Sequence, residues 1–279
     1  TIASGSVLFV VLLLILVFTG VIPGLRGRGG EENRAQVVVW GIFDDAQAIR
    51  EALGPGVPFT YEQHPFETYE ADLVNALAAG RGPDVFMIHN TWLPKPADKL
   101  APLFSTSFTI ANMRELFPTA VDQDFAPDNG FIYALPLSID TLAMIYNKDM
   151  FDSAGIALPP KTWKEFEEII PALRRTDSAG SIVRAAAAIG GSAISVNRAT
   201  DLISALMLQG GVEMVDPNFG SATFAAQGGD AFSFYLSFAN PANTKVFTWN
   251  DQLPYSVDAF AEEKAAVVFN YSYLVAILQ

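Results

Sequence analysis

Short apolar runs alternate with amphipathic stretches in the first half of the globular sequence. Residues 37–40 form an apolar run with three valines that ends at Gly41, a pattern typical of a buried strand. Residues 58–63 and 84–88 are two further strand candidates, and the second of them is also expected to be buried. Between them, apolar positions spaced four apart over residues 69–78 indicate one buried face of a helix. Strands that alternate with helices over short links predict a parallel sheet inside a three-layer α/β sandwich.

A second set of elements follows a long extended stretch. Residues 131–147 are mostly apolar and interrupted at Pro136, which suits a pair of hinge strands between two lobes. Thr162 and Glu165 have the spacing of a capping box at the start of a helix. Strands are predicted at residues 185–189 and 266–270, and helices at residues 202–208, 230–238 and 258–263. The first lobe is therefore expected at residues 37–139 and the second at residues 140–279.

The N-terminal segment has a different pattern, because residues 7–25 are almost entirely apolar. About 20 residues of helix cross a bilayer, whereas the apolar region of a signal peptide has roughly 7–15 residues. Residues 1–25 are therefore predicted to be a retained transmembrane anchor, with a cleaved signal as the alternative. Arg26 and Arg28 would favour the cytoplasmic side for the segment that follows, so the orientation stays open. Residues 26–36 are polar and glycine-rich, as in a flexible linker.

Composition narrows the classes of function. The chain has 279 residues, which suits about two domains, and 51% of them are hydrophobic. A net charge of −13 without a basic cluster speaks against nucleic-acid binding. There is no cysteine and there are only two histidines, and no nucleotide-binding or zinc-protease motif occurs. We therefore expect no catalytic residue, no metal, no cofactor and no nucleic-acid partner.

Polar and aromatic side chains gather just beyond the predicted strands, where ligands bind in open α/β sheets. Carboxylates and amides pair with hydroxyl groups, and flat rings cover the C–H faces of a sugar. The predicted ligand-binding residues are Asp44, Asp45, His89, Asn90, Trp92, Asp140, Tyr271 and Tyr273. A small polar solute, above all a carbohydrate, is the ligand that these side chains suit.

Several of these residues also have a purely structural interpretation. Asp44 or Asp45 could cap the helix that follows. His89 could be a hydrogen-bonded core histidine, and Trp92 could be a packing residue. Asp140 stands in an apolar stretch, where an unpaired buried carboxylate is costly, so it is expected to contact either the ligand or the hinge.

Segments in the following order carry a family resemblance: VVVWG at residues 37–41, LVNALAAGRGPDVFMI at 73–88, IYALPLSIDTLAMIYNKDMFDSAGI at 132–156 with PPKTWKEFEE at 159–168, and EEKAAVVFN at 262–270. Together they resemble the extracellular solute-binding proteins of the maltose-binding type. The resemblance implies a periplasmic-binding-protein-like α/β fold of type II, in which two lobes joined by a hinge close on a ligand. It also implies docking on the permease subunits of an ABC importer.

The resemblance places the candidate residues on the ligand side of that fold. Asp44 and Asp45 follow the first strand, residues 89–92 occupy the loop after the third, and Asp140 matches an acid that reaches into the cleft. Tyr271 and Tyr273 replace a frequent tryptophan. The chain departs from the pattern at Ile88 and His89, where an aromatic residue is common, and this speaks against maltodextrin itself.

The sequence thus predicts a binding protein and not an enzyme. It is expected at the extracytoplasmic face of a cell membrane, held there by a single N-terminal helix. Two alternatives stay open. One is the ligand-sensing ectodomain of a membrane receptor, and the other is a glycoside-processing enzyme in which Asp45 and Asp140 supply the two carboxylates.

Overall fold

The computed structural model of the protein describes residues 37–43, 45–54, 56, 58–92, 99–103, 108–126, 130–216 and 220–278. The chain divides into two compact units, of which the first ends at Leu135 and the second begins at Pro136. The predicted anchor at residues 1–25 and the linker at residues 26–36 lie outside the described residues. No helix within the described ranges has the length and apolarity needed to cross a membrane.

The first unit contains a parallel sheet, as the alternation of strands and helices predicts. Its elements are β1 (Val37–Gly41), α1 (Ala46–Leu53), β2 (Phe59–Gln63), α2 (Phe66–Ala78), β3 (Val85–Phe86), a 3-10 turn (Asn90–Trp92), α3 (Ile110–Leu116) and α4 (Thr119–Phe125). The strands lie in the order β2-β1-β3, with Val37 opposite Phe59 and Val39 opposite Val85.

The third strand is shorter and less buried than its apolar sequence predicts. Phe86 packs against the cluster formed by Ile42, Tyr69 and Leu73, whereas Val85 is 53% exposed. Successive side chains of a strand point to opposite faces, so covering one face of β3 leaves Val85 on the other. A strand therefore does form within residues 84–88, at Val85 and Phe86, but the prediction that it is buried was wrong for this reason.

Tyr69 joins α2 to the sheet of the first unit. Its side chain is fully buried, and its hydroxyl group donates to the carbonyl oxygens of Met87 at 2.8 Å and Trp40 at 3.3 Å. Burial raises the pKa of the Tyr69 hydroxyl well above its ordinary value, so the group remains a protonated donor. The helix is thereby connected to the ends of β1 and β3.

The second unit contains more helix and an antiparallel strand pair. Its elements are β4 (Leu142–Tyr146), α5 (Lys148–Ser153), α6 (Trp163–Leu173), β5 (Arg175–Thr176), β6 (Ile182–Arg184), α7 (Ala199–Gln209), α8 (Phe224–Gln227), α9 (Gly229–Ser237), α10 (Ser256–Ala261), β7 (Val267–Tyr271) and α11 (Tyr273–Ile277). Strand β4 pairs with β7, and Leu142 lies opposite Tyr271.

The strand predicted at residues 185–189 has a different form in the structure. Strand β6 ends at Arg184, and the buried segment that follows meets the β7 region through single parallel bridges at Ala185 and Ala188. Between these bridges, Ala187 donates its N–H to the Thr248 hydroxyl oxygen at 3.0 Å, and that hydroxyl lies 3.3 Å from the Ala187 carbonyl oxygen. Both backbone polar groups of Ala187 are hydrogen-bonded to the Thr248 side chain. They are therefore not available to a neighbouring strand, and the strand pairing is interrupted there.

The predicted capping box at the start of α6 is correct in one half. The Thr162 hydroxyl oxygen accepts from the Glu165 N–H at 3.2 Å, but the Glu165 carboxylate accepts from the N–H of Lys161 and not of Thr162. Trp163 packs against the core of the second unit and donates from its indole nitrogen to the side-chain oxygen of Gln209 at 2.7 Å.

Replacing Tyr69 with Phe tests the connection between α2 and the sheet. The variant leaves two partly buried carbonyl oxygens without their shared donor, so we expect the free energy of unfolding of the first unit to fall by about 1–3 kcal/mol. Urea denaturation with hydrogen exchange at residues 85–87 is the measurement. Tyr146→Phe is the matched control, because it removes the hydroxyl group of a half-buried tyrosine in the second unit. The ring of Tyr146 packs 4.7 Å from that of Phe151. Equal denaturation curves for Tyr69→Phe and wild type would contradict this role.

Candidate functional site

A polar and aromatic cluster lies at the carboxyl end of β7 in the second unit. Tyr271 ends the strand, Tyr273 begins α11, and Arg198 precedes α7. The guanidinium carbon of Arg198 is 5.0 Å from the centroid of the Tyr271 ring and 6.0 Å from that of Tyr273. One guanidinium nitrogen also donates to the Tyr273 hydroxyl oxygen at 3.0 Å. With Asp201, these residues form what we call the Arg198 cluster.

The Arg198 cluster contains one positive charge, on Arg198, and one negative charge, on Asp201. The Asp201 carboxylate lies 3.8 Å from a guanidinium nitrogen of Arg198, and both side chains are about one third exposed (36% and 37%). Burial acts to lower the pKa of Arg198, but the hydrogen bond to Tyr273 and the charge of Asp201 outweigh it and raise that pKa. Burial and the charge of Asp201 raise the pKa of the Tyr271 hydroxyl. The cluster thus combines a guanidinium cation, a carboxylate and two phenol groups.

Two asparagines hold the backbone beneath the Arg198 cluster. Asn270 is fully buried and donates from its side-chain amide to the side-chain oxygen of Asn197 at 3.1 Å. Asn197 donates in turn to the Tyr255 hydroxyl oxygen, and its N–H donates to the Ser256 hydroxyl oxygen at 3.0 Å. These hydrogen bonds connect the segment before α7, the end of β7 and the start of α10. The backbone next to Arg198 is therefore held by hydrogen bonds from Asn197 to Tyr255, Ser256 and Asn270.

Asp140 holds the turn that carries Tyr273. One carboxylate oxygen accepts from the N–H groups of Thr141 at 2.7 Å and Ser272 at 2.8 Å and from the Ser272 hydroxyl. The other oxygen accepts from the N–H of Tyr273 at 3.2 Å. Desolvation acts to raise the pKa of Asp140, but these hydrogen bonds lower it overall. Asp140 is exposed and its carboxylate accepts four hydrogen bonds within the second unit. A contact of Asp140 with a ligand stays a prediction.

In the first unit, the predicted acids and the histidine have local partners. One carboxylate oxygen of Asp45 accepts from the N–H groups of Gln47 and Ala48, each at 2.8 Å, which confirms the helix-capping interpretation. Asp44 lies outside the described residues. His89 is exposed and its ring nitrogen is 2.8 Å from the Thr91 hydroxyl oxygen, so the alternative of a core histidine was wrong.

Asn90 and Trp92 lie in the loop after β3. The Asn90 amide donates to the Asp124 carboxylate at 2.8 Å. The Trp92 ring is half-buried and stacks on Tyr69, with centroids 6.1 Å apart and ring planes 26° from parallel. This contact favours the packing interpretation of Trp92, while its partial exposure leaves one part of the ring open.

The structure therefore brings Tyr271 and Tyr273 together, and it adds residues that the sequence reasoning missed. Arg198, Asp201 and Asn197 complete the surface around the two tyrosines. A signal for them was available, because residues 190–198 directly follow the strand predicted at 185–189. The rule that ligands bind beyond the carboxyl ends of strands, applied there too, would have selected Asn197 and Arg198.

The Arg198 cluster has the chemistry of a binding surface for polar, uncharged groups. The guanidinium and the phenol hydroxyls can donate, Asp201 can accept, and the tyrosine rings can cover C–H groups. Among the described residues, no three His, Asp or Glu side chains are grouped as a metal ion would require. Hydroxyl-rich ligands match these donors and acceptors.

The fold is that of known binding proteins. It is similar to the sugar-binding protein MalE from the phytopathogen Xanthomonas citri, with a TM-score of 0.68 and 21% identity, over 87% of this chain and 61% of that one. It is also similar to an ABC substrate-binding protein from Listeria monocytogenes in complex with cycloalternan, with a TM-score of 0.64 and 21% identity, over 88% of this chain and 63% of that one. The protein thus has a periplasmic-binding-protein-like α/β fold.

The family model of the bacterial extracellular solute-binding proteins matches residues 41–278. Since this match covers most of the chain, the protein belongs to that family, and the resemblance drawn from its sequence segments is confirmed. The maltotriose-binding protein from Pyrococcus abyssi is 30% identical over 155 residues, which are 50% of this chain and 31% of that protein. The match therefore spans about a third of this curated relative's length.

Replacing Asp140 with Asn tests whether the carboxylate holds the turn at Ser272 and Tyr273. Asparagine replaces one carboxylate oxygen with an NH2 group, which cannot accept from the backbone N–H groups that face Asp140. We expect the free energy of unfolding of the second unit to fall by about 1 kcal/mol, an estimate that allows for the exposure of the side chain. Urea denaturation at neutral pH, with the exposed Glu168→Gln as the control, is the measurement.

The pH dependence of this effect has a definite sign. The folded pKa of Asp140 is lowered, so its contribution to stability is present above the unfolded pKa of about 3.9 and is lost as the pH falls through the folded pKa. The stability difference between wild type and Asp140→Asn should therefore be constant near neutral pH and shrink in acid. A difference that grows on acidification would contradict this assignment.

Proposed function

We propose that the protein is the extracytoplasmic substrate-binding component of an ABC importer and that it captures a carbohydrate without catalysis. The observation that carries this proposal is the Arg198 cluster, a donor-rich and aromatic surface at a strand end in a member of the solute-binding family. Relatives described as binding maltotriose and cycloalternan support a sugar as the class of ligand. The proposed partners are this ligand and the permease subunits of the importer.

The charge balance of the Arg198 cluster favours a neutral ligand. Asp201 already lies 3.8 Å from the Arg198 guanidinium, and the Asp140 carboxylate accepts from the N–H of Tyr273 at 3.2 Å. An anionic ligand would meet both carboxylates, and a cationic ligand would meet the guanidinium. Neutral hydroxyl groups can accept from Arg198 and donate to Asp201 without introducing a charge. A neutral saccharide therefore fits better than a sugar acid or an amino sugar.

The geometry of Asp45 and Asp140 argues against a glycoside-processing enzyme. Such an enzyme needs one carboxyl group that can give up a proton and another that acts as nucleophile or base. Asp45 is engaged by the first turn of α1, and Asp140 accepts four hydrogen bonds that lower its pKa. A carboxyl group with a lowered pKa is a poor general acid at neutral pH. A site that only binds a ligand does not need a carboxyl group that can donate a proton.

Replacing Arg198 with Gln tests the site. The variant removes the cation and the donor to Tyr273, so we expect the affinity for a bound sugar to fall by about 1–3 kcal/mol. Isothermal titration with glucose, maltose, maltotriose and arabinotriose, with glucuronate and glucosamine as charged counterparts, is the measurement. Arg175→Gln, an exposed arginine on β5, is the control. Unchanged sugar affinity in Arg198→Gln would remove the cluster from the site, and binding of none of the neutral sugars by the wild type would contradict the proposed ligand class.

We further propose that residues 7–25 are retained as a single transmembrane anchor, which keeps the protein on the outer face of the membrane. The support is the almost unbroken apolar sequence of this segment together with membership of an extracellular family. The native protein should stay with membranes through high-salt and carbonate washing, and a chain that begins at Gln36 should be soluble. A native N-terminus located after Leu25 would instead indicate cleavage.

A further inference from the structure

The loop at residues 190–195 connects the buried segment at residues 185–189 to the part of the chain that contains Arg198. The buried segment meets the β7 region through parallel bridges, so its carboxyl end lies at the same edge as Tyr271. Ser195 ends the loop, is 2% exposed and lies three positions before Arg198. The conformation of this loop therefore sets the position from which Arg198 reaches the two tyrosines of its cluster.

Asp251 holds this loop at two points with a single carboxylate oxygen. Its Oδ1 atom accepts from the N–H of Ser192 and from the hydroxyl group of Ser195, each at 2.7 Å. The hydrogen bond from Ser195, together with that from Ser192, keeps the pKa of the Asp251 carboxyl group below its ordinary value. The acceptor is therefore a carboxylate at neutral pH, and hydrogen bonds to an ionised acceptor are stronger than those between neutral groups.

The Ser195 hydroxyl group has a second partner, which fixes the direction of its hydrogen bonds. The indole nitrogen of the fully buried Trp249 lies 3.1 Å from the Ser195 Oγ atom. An indole N–H can only donate, so the Ser195 hydroxyl accepts from Trp249 and donates to Asp251. Loss of the Asp251 carboxylate would leave a buried hydroxyl donor without its acceptor, which is costly.

Glycine at position 191 makes room for the contact between Ser195 and Asp251. A β-carbon at that position would lie 2.9 Å from the Asp251 Oδ1 atom and closer still to the Ser195 Oγ atom. The Gly191 carbonyl oxygen also accepts from the hydroxyl group of the buried Tyr235 at 2.6 Å. The residue type and the hydrogen bonds of the loop therefore favour the same conformation, in which Ser195 meets Asp251.

Hydrogen bonds connect Ser195 to the residue that precedes Arg198. The Ser195 carbonyl oxygen accepts from the N–H of Ser256 at 2.8 Å. The hydroxyl oxygen of Ser256, which is fully buried, accepts from the N–H of Asn197 at 3.0 Å. Asn197 is thus held both by Ser256 and by the short chain segment that begins at Ser195. Arg198 is the next residue, so its backbone depends on the same hydrogen bonds.

We propose that Asp251 is a positioning residue for Arg198, which fixes Ser195 and, through it, Asn197 and the direction of the guanidinium group. Asp251 acts through Ser195 and not by contact with the sugar. This inference rests on the proposed function for its effect on ligand binding, whereas its effect on the position of Arg198 needs no ligand. A guanidinium group that is ordered in advance loses less entropy when a ligand binds.

The position of Arg198 can be measured in the full chain without a ligand. The Nε atom of Arg198 is buried, so its proton exchanges slowly with water and gives an NMR resonance, identified by its absence in Arg198→Gln. The two tyrosine rings of the cluster shift this resonance away from that of a free arginine. Asp251→Ala should move the resonance toward the free value. Asp251→Asn keeps an oxygen that can accept from Ser192 and Ser195, so the resonance should stay near its wild-type position.

Isothermal titration with glucose, maltose, maltotriose and arabinotriose measures the effect on binding. We expect Asp251→Ala to lower the sugar affinity roughly tenfold, as for a lost hydrogen bond to a charged group, and Asp251→Asn to lower it by less than about threefold. In the Arg198→Gln background, Asp251→Ala should have almost no further effect, because the group that it positions is already gone. Asp230→Ala, which removes another exposed aspartate of the second unit, is the control and should change neither the resonance nor the affinity.

The two measurements separate this inference from the proposed function. An unchanged Arg198 resonance in Asp251→Ala would overturn the positioning role, whatever the affinity, and would leave the proposed function intact. A displaced resonance with unchanged sugar affinity, or in a protein that binds none of the four sugars, would support the positioning role and contradict a contact between Arg198 and a sugar. Melting curves establish that each variant is folded. If Asp251→Ala is not, Ser195→Ala removes the same hydrogen bond from its other end and decides the question by the same resonance.

Discussion

The burial of strand β7 is the constraint on which the second unit depends. Residues 267–270 are all buried, so every polar group of this strand needs a partner inside the protein. Strand β4 supplies partners on one side, and the segment around Ala185 and Ala188 supplies them on the other. At the end of the strand, the fully buried Asn270 is satisfied by Asn197. This last hydrogen bond positions the segment that contains Arg198 next to Tyr271 and Tyr273, at the end of β7.

The candidate site is thus a consequence of how the core satisfies its polar groups. Asn197 is positioned by Asn270, and the next residue, Arg198, lies against Tyr271 and Tyr273. Asp140 also orders this surface, because its carboxylate accepts from the backbone N–H groups of Ser272 and Tyr273. The hydrogen bonds that stabilise the unit therefore also fix the donors and rings that a ligand would contact. A site built in this way needs little rearrangement of its own side chains.

Local patterns along the chain were reliable where a structure depends on near neighbours. The helix that begins after Asp45 and the one that begins at Trp163 follow from capping residues that lie next to the helix start. The parallel sheet of the first unit follows from the alternation of strands and helices. The local pattern did not predict the interrupted strand at Ala187. The N–H of Ala187 donates to Thr248, which is 61 positions away in the sequence. No window of a few residues contains that partner.

The sequence by itself determined the family, the α/β class and most of the elements, because these depend on order and spacing along the chain. It also selected two residues of the Arg198 cluster, Tyr271 and Tyr273, whose contact with a ligand stays a prediction. Only the tertiary structure decided that Arg198 joins them, since it is separated from Tyr273 by 75 positions. The same is true of Asp140, which meets Ser272 across 132 positions and accepts backbone donors there. Whether a carboxylate is free for a ligand depends on which N–H groups the fold brings to it. Pairing between distant strands sets that, and it leaves no periodic signal in the sequence.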